Sequence, residues 1–278
     1  MVEFKTLALR RDGAVLHVTL NRPELRNAMS MSMVRELRAM LGQAEMKAEL
    51  KAETRVIVLR GAGGHFCAGA DLTDMAAARA KLFEDPQALV DINAAFGELC
   101  VAFADTGIAT VAVVEGSCMG GGLGLACVAD VALAGQSASF RLPETSLGLV
   151  PAQIAAFLVE RLGYAEARRL AVTGGRLDAH QALALRLVHG VHGPDDLDAA
   201  LALVLADILQ CAPGAVAATK ALMAKARFAA PATLIREAAQ VFSQAALGAE
   251  GIEGTMAFLQ RRKARWVPEM PTATAAPE

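Results

Sequence analysis

The spacing of apolar and polar positions changes character along the chain. From Phe4 to Leu20 the apolar residues fall in two runs around Arg11-Asp12-Gly13. The second run, Val15-Leu16-His17-Val18-Thr19-Leu20, alternates with the period of a strand. Asn21-Arg22-Pro23 ends it. Between Ser30 and Met46 the period lengthens. Met33, Leu37, Met40 and Leu41 then share one helical face, with Ser30 placed as an N-cap. Residues 55–60 read as a short buried strand running into Gly61-Ala62-Gly63-Gly64, with a Gly-bearing turn over 66–72. A helix is predicted over 86–104 and a buried strand over 110–114 that runs into Gly116. A Gly-rich stretch from Met119 to Ala126 follows, then a strand over 128–134.

From residue 151 onward the pattern predicts helices only, at 151–162, 164–172, 179–186, 197–210, 213–225, 232–247 and 250–262. No sequence repeat of about 20–50 residues recurs, which argues against a solenoid. Strands alternating with helices, followed by helices alone, predict an α/β core with a helical C-terminal extension. The expected division is a core over 1–195, a helical region over 196–266 and a flexible Pro/Ala/Thr-rich tail over 267–278.

Composition narrows this picture. The chain has 278 residues, 54% of them hydrophobic and only 4% aromatic, which excludes intrinsic disorder. A net charge of −2, a pI near 6.2 and few aromatics argue against a nucleic-acid footprint. Mean hydropathy is +0.38, yet Gly and charged residues interrupt every apolar run before it reaches ~18 residues. The start, Met-Val-Glu-Phe-Lys, has no apolar signal-peptide core. A soluble cytoplasmic protein is expected, with its apolar excess buried between subunits. The five cysteines lack CxxC spacing and read as reduced thiols.

The chemistry concentrates in two Gly-rich segments, 61–72 and 116–126, each following a short apolar strand. Such a segment can present backbone N–H groups to an anion or a developing oxyanion. It can equally serve tight turns and close packing alone. GxGxxG fails in both registers tried, from Gly120 and from Gly122, and GxxxxGK[ST], GxSxG and HExxH are absent. The five histidines read as loop or surface residues, and no metal site is expected. Glu144 lies among apolar residues after Pro143. That setting raises a carboxyl pKa and suits acid–base work, although a turn cap or a solvent-facing residue would look the same.

Four ordered stretches together resemble the crotonase family, the enoyl-CoA hydratases and isomerases. They are Leu20 to Met29, Phe66 to Leu72, Gly116 to Ala126 with Asp130, and Phe140 to Pro151. The resemblance spans about residues 4 to 266. It implies a right-handed spiral of ββα units, a C-terminal helical region that assembles trimers or hexamers, and an acyl-CoA thioester ligand. No cofactor is implied beyond the coenzyme A that the substrate carries. By motif position the backbone N–H groups of Ala70 and Gly121 form the oxyanion hole, with Glu144 as the catalytic carboxylate. Leu25, Arg26, Ala28, Ala68, Asp71, Leu72 and Thr73 fall on the CoA path. Arg26 matches a residue able to reach a CoA phosphate, and a ligand-free surface arginine fits it equally.

One departure stands out. The second glutamate of the two-carboxylate hydratases would fall at Gly124. Three readings follow. The first is a hydratase of a branched glutaconyl-CoA using Glu144 alone. Residues 141–155, Cys211-Ala212-Pro213, 217–222 and 250–255 resemble isohexenylglutaconyl-CoA hydratase, with 3-methylglutaconyl-CoA hydratase as near neighbour. There the substrate's own carboxylate would help hold water or pair with a cation such as Arg141, although a solvent-facing Arg141 fits the sequence equally, since neighbouring strand residues point to opposite faces. The second is a Δ3,Δ2-enoyl-CoA isomerase. The third is a non-catalytic acyl-CoA- or RNA-binding relative.

Overall fold

The structure is a computed structural model and describes residues 4–49 and 54–268. The chain divides into two compact units, Met1–Leu201 and Ala202–Glu278. The proposed tail over 267–278 lies outside the described residues from 269 onward.

The first unit is built on a six-stranded sheet. Strands β1 (Leu7–Asp12) and β2 (Val15–Leu20) form the expected hairpin, turning at Gly13 with φ 53°. β2 then pairs in parallel with β3 (Val56–Gly61), and β3 in parallel with β4 (Ala109–Val114). Every residue of β4 is buried, as expected for a central parallel strand covered on both faces. Helix α1 (Met31–Glu49) packs Met33, Leu37, Met40 and Leu41 into the core, and Ser30 Oγ accepts the Met33 N–H at 3.2 Å, so the cap is in place.

Two helices separate β3 from β4. Helix α2 (Leu72–Ala80) was not expected from the periodicity, whereas α3 (Ala88–Asp105) was. After β4 come the short strand β5 (Ser117–Met119), helix α4 (Gly121–Val128), and strands β6 (Val131–Gly135) and β7 (Ser139–Arg141). The strand expected over 128–134 therefore starts later, because residues through Val128 are helical. β6 extends the large sheet beside β4, and β7 pairs in parallel with β5 in a second, three-stranded sheet. Strand pairs that feed both sheets and then a helix are thus the repeating unit of the α/β fold.

Helices α5 (Ala155–Leu162), α6 (Tyr164–Thr173) and α7 (Ala179–Ala184) fall where helices were predicted. The expectation of helices alone beyond residue 151 does not hold. Strand β8 (Arg176–Asp178) pairs antiparallel with β7, and β9 (Gly190–His192) extends the large sheet beside β6. Both are three residues long, too short to show a period, and both pair with strands distant in sequence.

Helix α8 (Leu197–Gln210) crosses the boundary into the second unit, which holds α9 (Pro213–Ala226), α10 (Pro231–Leu247) and α11 (Ala249–Leu259). Glu250 accepts the Gly214 and Ala215 amides at 3.0 and 3.1 Å, and Trp266 donates to the Gln210 carbonyl at 2.8 Å. Among the described residues no single helix is long and apolar enough to cross a membrane. Only α8 and α9, taken together across the break between them, reach that length and composition.

Candidate active site

The first Gly-rich segment is held by polar side chains. Asn27 is fully buried. Its Oδ1 accepts the Arg22 N–H at 2.9 Å, and its Nδ2 donates to the carbonyls of Ala62 and His65 at 2.9 and 2.7 Å. Arg26 and Asn27 both adopt the left-handed conformation, with φ of 48° and 57°. This turn lets the Arg26 carbonyl accept the Ala68 N–H at 2.9 Å. One residue pair further on, Met29 donates to Gly69 at 2.7 Å and accepts from Asp71 at 3.0 Å. In such parallel pairing the residue between the two partners turns its own amide to the other side. That residue is Ala70, and among the described residues its N–H has no protein acceptor.

The Asp71 side chain closes this arrangement. Its carboxylate lies 2.8 Å from Arg22 Nη1 and accepts the Thr73 N–H at 2.9 Å, capping α2. Arg22 also donates to the Ala28 carbonyl at 2.7 Å. Burial pushes the Asp71 carboxyl up, but the Arg22 and Thr73 donors outweigh it and hold the group below the ordinary range. The Asp71 side chain, expected on the CoA path, is therefore occupied in the local fold.

The second Gly-rich segment is held by the absence of side chains. Gly120 has φ 48° and ψ −116°, a conformation that favours glycine. A Cβ at Gly122 would come 2.6 Å from Cys67 Cβ and 2.8 Å from the Cys67 carbonyl, so the two segments touch backbone to backbone. They are also bonded directly: Cys67 donates to Ser117, and Met119 to Cys67, each at 2.9 Å. Gly121 opens α4, and the first amides of a helix have no intrahelical acceptor.

Glu144 starts a short 3-10 turn over Glu144–Leu147, which ends at Gly148 with φ 72°. Its side chain lies against Gly120, where a Cβ would come within 2.6 Å of Oε1. Oε2 is buried without a hydrogen-bond partner among the described residues. Burial pushes the carboxyl pKa up.

Ala70, Gly121 and Glu144 share the wall of one cavity of about 520 Å³, which is in the range of small-molecule sites. Most of the remaining wall is apolar, including Met29, Met75 and Phe96. Asn93 and Gln153 also line it, and Gln153 Nε2 donates to Asn93 Oδ1 at 2.8 Å. Arg79 lies on the same wall. These three polar groups escaped the sequence reading. Asp71 as a helix N-cap followed by an Ala-rich run was the signal that could have revealed α2, and with it Met75 and Arg79 on one face.

The Gly124 position is closed. A Cβ there would meet Ile154 Cγ2 at 2.4 Å and Phe96 Cζ at 3.4 Å. The apolar wall has taken the space that a second carboxylate would need. Arg141, offered above as a cation for a substrate carboxylate, does not line the cavity. Its Nε instead lies 3.4 Å from the Gly174 carbonyl.

The other CoA-path residues lie outside the cavity wall, on the segments that lead to Ala70. Leu25, Arg26, Leu72 and Thr73 are exposed, and Ala28 and Ala68 are half-buried. His65 and His189 use Nδ1 to accept the amides of Ser117 and Ala132 at 3.1 and 2.9 Å. Among the described residues, no three His, Cys, Asp or Glu side chains gather as metal ligands. Cys67, Cys100, Cys118 and Cys127 are buried. Desolvation raises all four thiols, Cys67 to about 11, which keeps them neutral.

Two free amides and a half-buried carboxylate on the wall of an apolar cavity, in an α/β fold, define a site suited to thioester chemistry. Residues 10–269 match the family model described as enoyl-CoA hydratase/isomerase, and the chain belongs to that family. It is 32% identical over 262 residues to 2,3-dehydroadipyl-CoA hydratase of Escherichia coli, covering 92% of this chain and 96% of that one. Among solved structures, Pseudomonas aeruginosa AtuE shares 48% identity with a TM-score of 0.90, covering 95% of this chain and all of that one. An enoyl-CoA hydratase/isomerase from Marinobacter aquaeolei shares 45% identity with a TM-score of 0.89 at the same coverage. The fold is the α/β crotonase fold, and acyl-CoA is the ligand class consistent with the family.

Proposed function

We propose that the protein is an enoyl-CoA hydratase that adds water across the C2=C3 bond of an acyl-CoA thioester. The proposed substrate is a branched glutaconyl-CoA, isohexenyl- or 3-methylglutaconyl-CoA. The observation that carries the reading is the convergence of Ala70, Gly121 and Glu144 on one cavity wall. The amides of Ala70 and Gly121 polarise the thioester carbonyl and stabilise the negative charge that develops on its oxygen. Glu144, ionised, accepts a proton from water as the C3–O bond forms. It then delivers a proton to C2 as the enolate collapses, leaving a 3-hydroxyacyl-CoA. A raised pKa brings the carboxyl nearer neutrality, where one group can both accept and return a proton. Leu25, Arg26, Ala28, Ala68, Leu72 and Thr73 are assigned to the CoA path on motif position.

One observation favours a second reading. Glu144 is the only carboxylate on the cavity wall among the described residues, and Ile154 blocks the site of another. A Δ3,Δ2-enoyl-CoA isomerase needs one carboxylate to carry a proton between carbons. A panel of crotonyl-, 3-enoyl-, 3-methylglutaconyl- and isohexenylglutaconyl-CoA separates the two. Hydration of a glutaconyl substrate supports the first reading, and conversion of the 3-enoyl substrate alone rejects it. The same proposal makes the protein a homotrimer or hexamer. Exposed Ile235, Phe242, Leu247 and Phe258 on the C-terminal helices support burial against other subunits, and sedimentation velocity tests it.

A further inference from the structure

Arg79 is the only cation on the cavity wall among the described residues, and its side chain has no ion pair or hydrogen bond there. It shares a face of α2 with Met75, four residues earlier, which also lines the cavity. α2 begins directly after Ala70, at the N-cap Asp71. Arg79 thus lies about 10 Å along the helix axis from its first residue. Arg79 is exposed, and helical side chains lean toward the N-terminus, so the long side chain is free to swing its guanidinium toward the Ala70 end of the cavity. An acyl chain whose thioester oxygen rests on Ala70 and Gly121 would extend into the space between. Apart from Arg79, the charged group on this wall is Glu144, which repels an anion, and the apolar remainder penalises an unpaired one.

We propose that Arg79 pairs with a free carboxylate on the acyl chain and so selects mono-CoA thioesters of dicarboxylic acids. The proposal rests on the thioester orientation of the preceding reading and assigns its carboxylate to a residue. Asn93, with an amide to donate beside Gln153, lines the same cavity and is placed to assist.

The test uses two saturated ligands that bind without turnover, glutaryl-CoA and pentanoyl-CoA, measured by calorimetry on the full chain. The unmodified protein should prefer glutaryl-CoA. Arg79→Met should weaken glutaryl-CoA about tenfold or more, the scale of a charge-assisted hydrogen bond, and leave pentanoyl-CoA unchanged. Arg79→Lys should recover part of the preference. Equal weakening of both ligands, or no preference to begin with, overturns the assignment. The hydratase reading fails separately. Loss of the glutaryl preference in Arg79→Met without hydration of any enoyl-CoA keeps Arg79 and rejects the hydratase. Hydration of crotonyl-CoA without a glutaryl preference does the reverse.

Discussion

Each Gly-rich segment places a carboxylate beside an amide donor, and the two are opposites. Asp71, next to Ala70, is surrounded by donors and held ionised below its ordinary pKa. Glu144, against Gly120, has a buried oxygen without a partner and is pushed upward by burial. Asp71 has spent its charge on the frame. The frame leaves Glu144 unsatisfied, which is the condition that the proposed proton transfer needs. One carboxylate is satisfied by its neighbours and the other is not, and the proposed function assigns the chemistry to the unsatisfied one.

The sharpest way to break this contrast is substitution of each acid by its amide. Glu144→Gln should lower turnover of the accepted enoyl-CoA by roughly 10²-fold or more while the protein stays folded, read as initial rate and melting temperature. Unchanged turnover rejects Glu144 as the proton carrier. Next in size, Gly120→Ala places a methyl 2.6 Å from Glu144 Oε1 and imposes φ 48° on an L-residue. Misplacing the carboxylate should cost roughly 10- to 100-fold in kcat, with near-native circular dichroism.

Asp71→Ala attacks the frame. It leaves Arg22 charged and largely buried, and should lower stability in urea by about 2–3 kcal/mol. Loss of turnover without loss of stability would move Asp71 into the reactive class. The smallest expected effect is on pH dependence, where the two acids have opposite signs. Asp71 is depressed in the folded state, so its contribution is present above its unfolded pKa and fades as pH falls through the folded value. Glu144 is raised, so the folded state binds the extra proton and stability declines as pH rises from the ordinary Glu range through the raised pKa. The melting temperature of Glu144→Gln relative to the unmodified protein should therefore climb with pH over that window. For Asp71→Asn the deficit should shrink in acid.

The sequence made much of this legible where the signal is local. The β1–β2 hairpin, α1, β3 and β4 follow from periodicity and caps, and Glu144 stood out as a carboxyl among apolar residues. β5, β7, β8 and β9 have three residues each and are defined by partners such as Asp178 for Ser139, which no local period reveals. α4 has no clear helical signal because glycine is a poor helix former, yet residues 122–128 are all buried, and packing overrides propensity there. Arg79 was invisible because α2 was. Arg141 stayed open between the site and solvent because a three-residue strand gives little basis for choosing which way a side chain points.

The contact between Gly124 and Ile154 has a consequence for descent. A glutamate arriving alone at 124 would collide at its first side-chain carbon, 2.4 Å from Ile154. Trimming Ile154 alone would open a void in the core at a cost of about 2–5 kcal/mol. Each single step is penalised, and only the paired change opens a route to a two-carboxylate site. A lineage with this glycine and isoleucine therefore meets a valley in its mutational landscape on the way to a carboxylate at position 124.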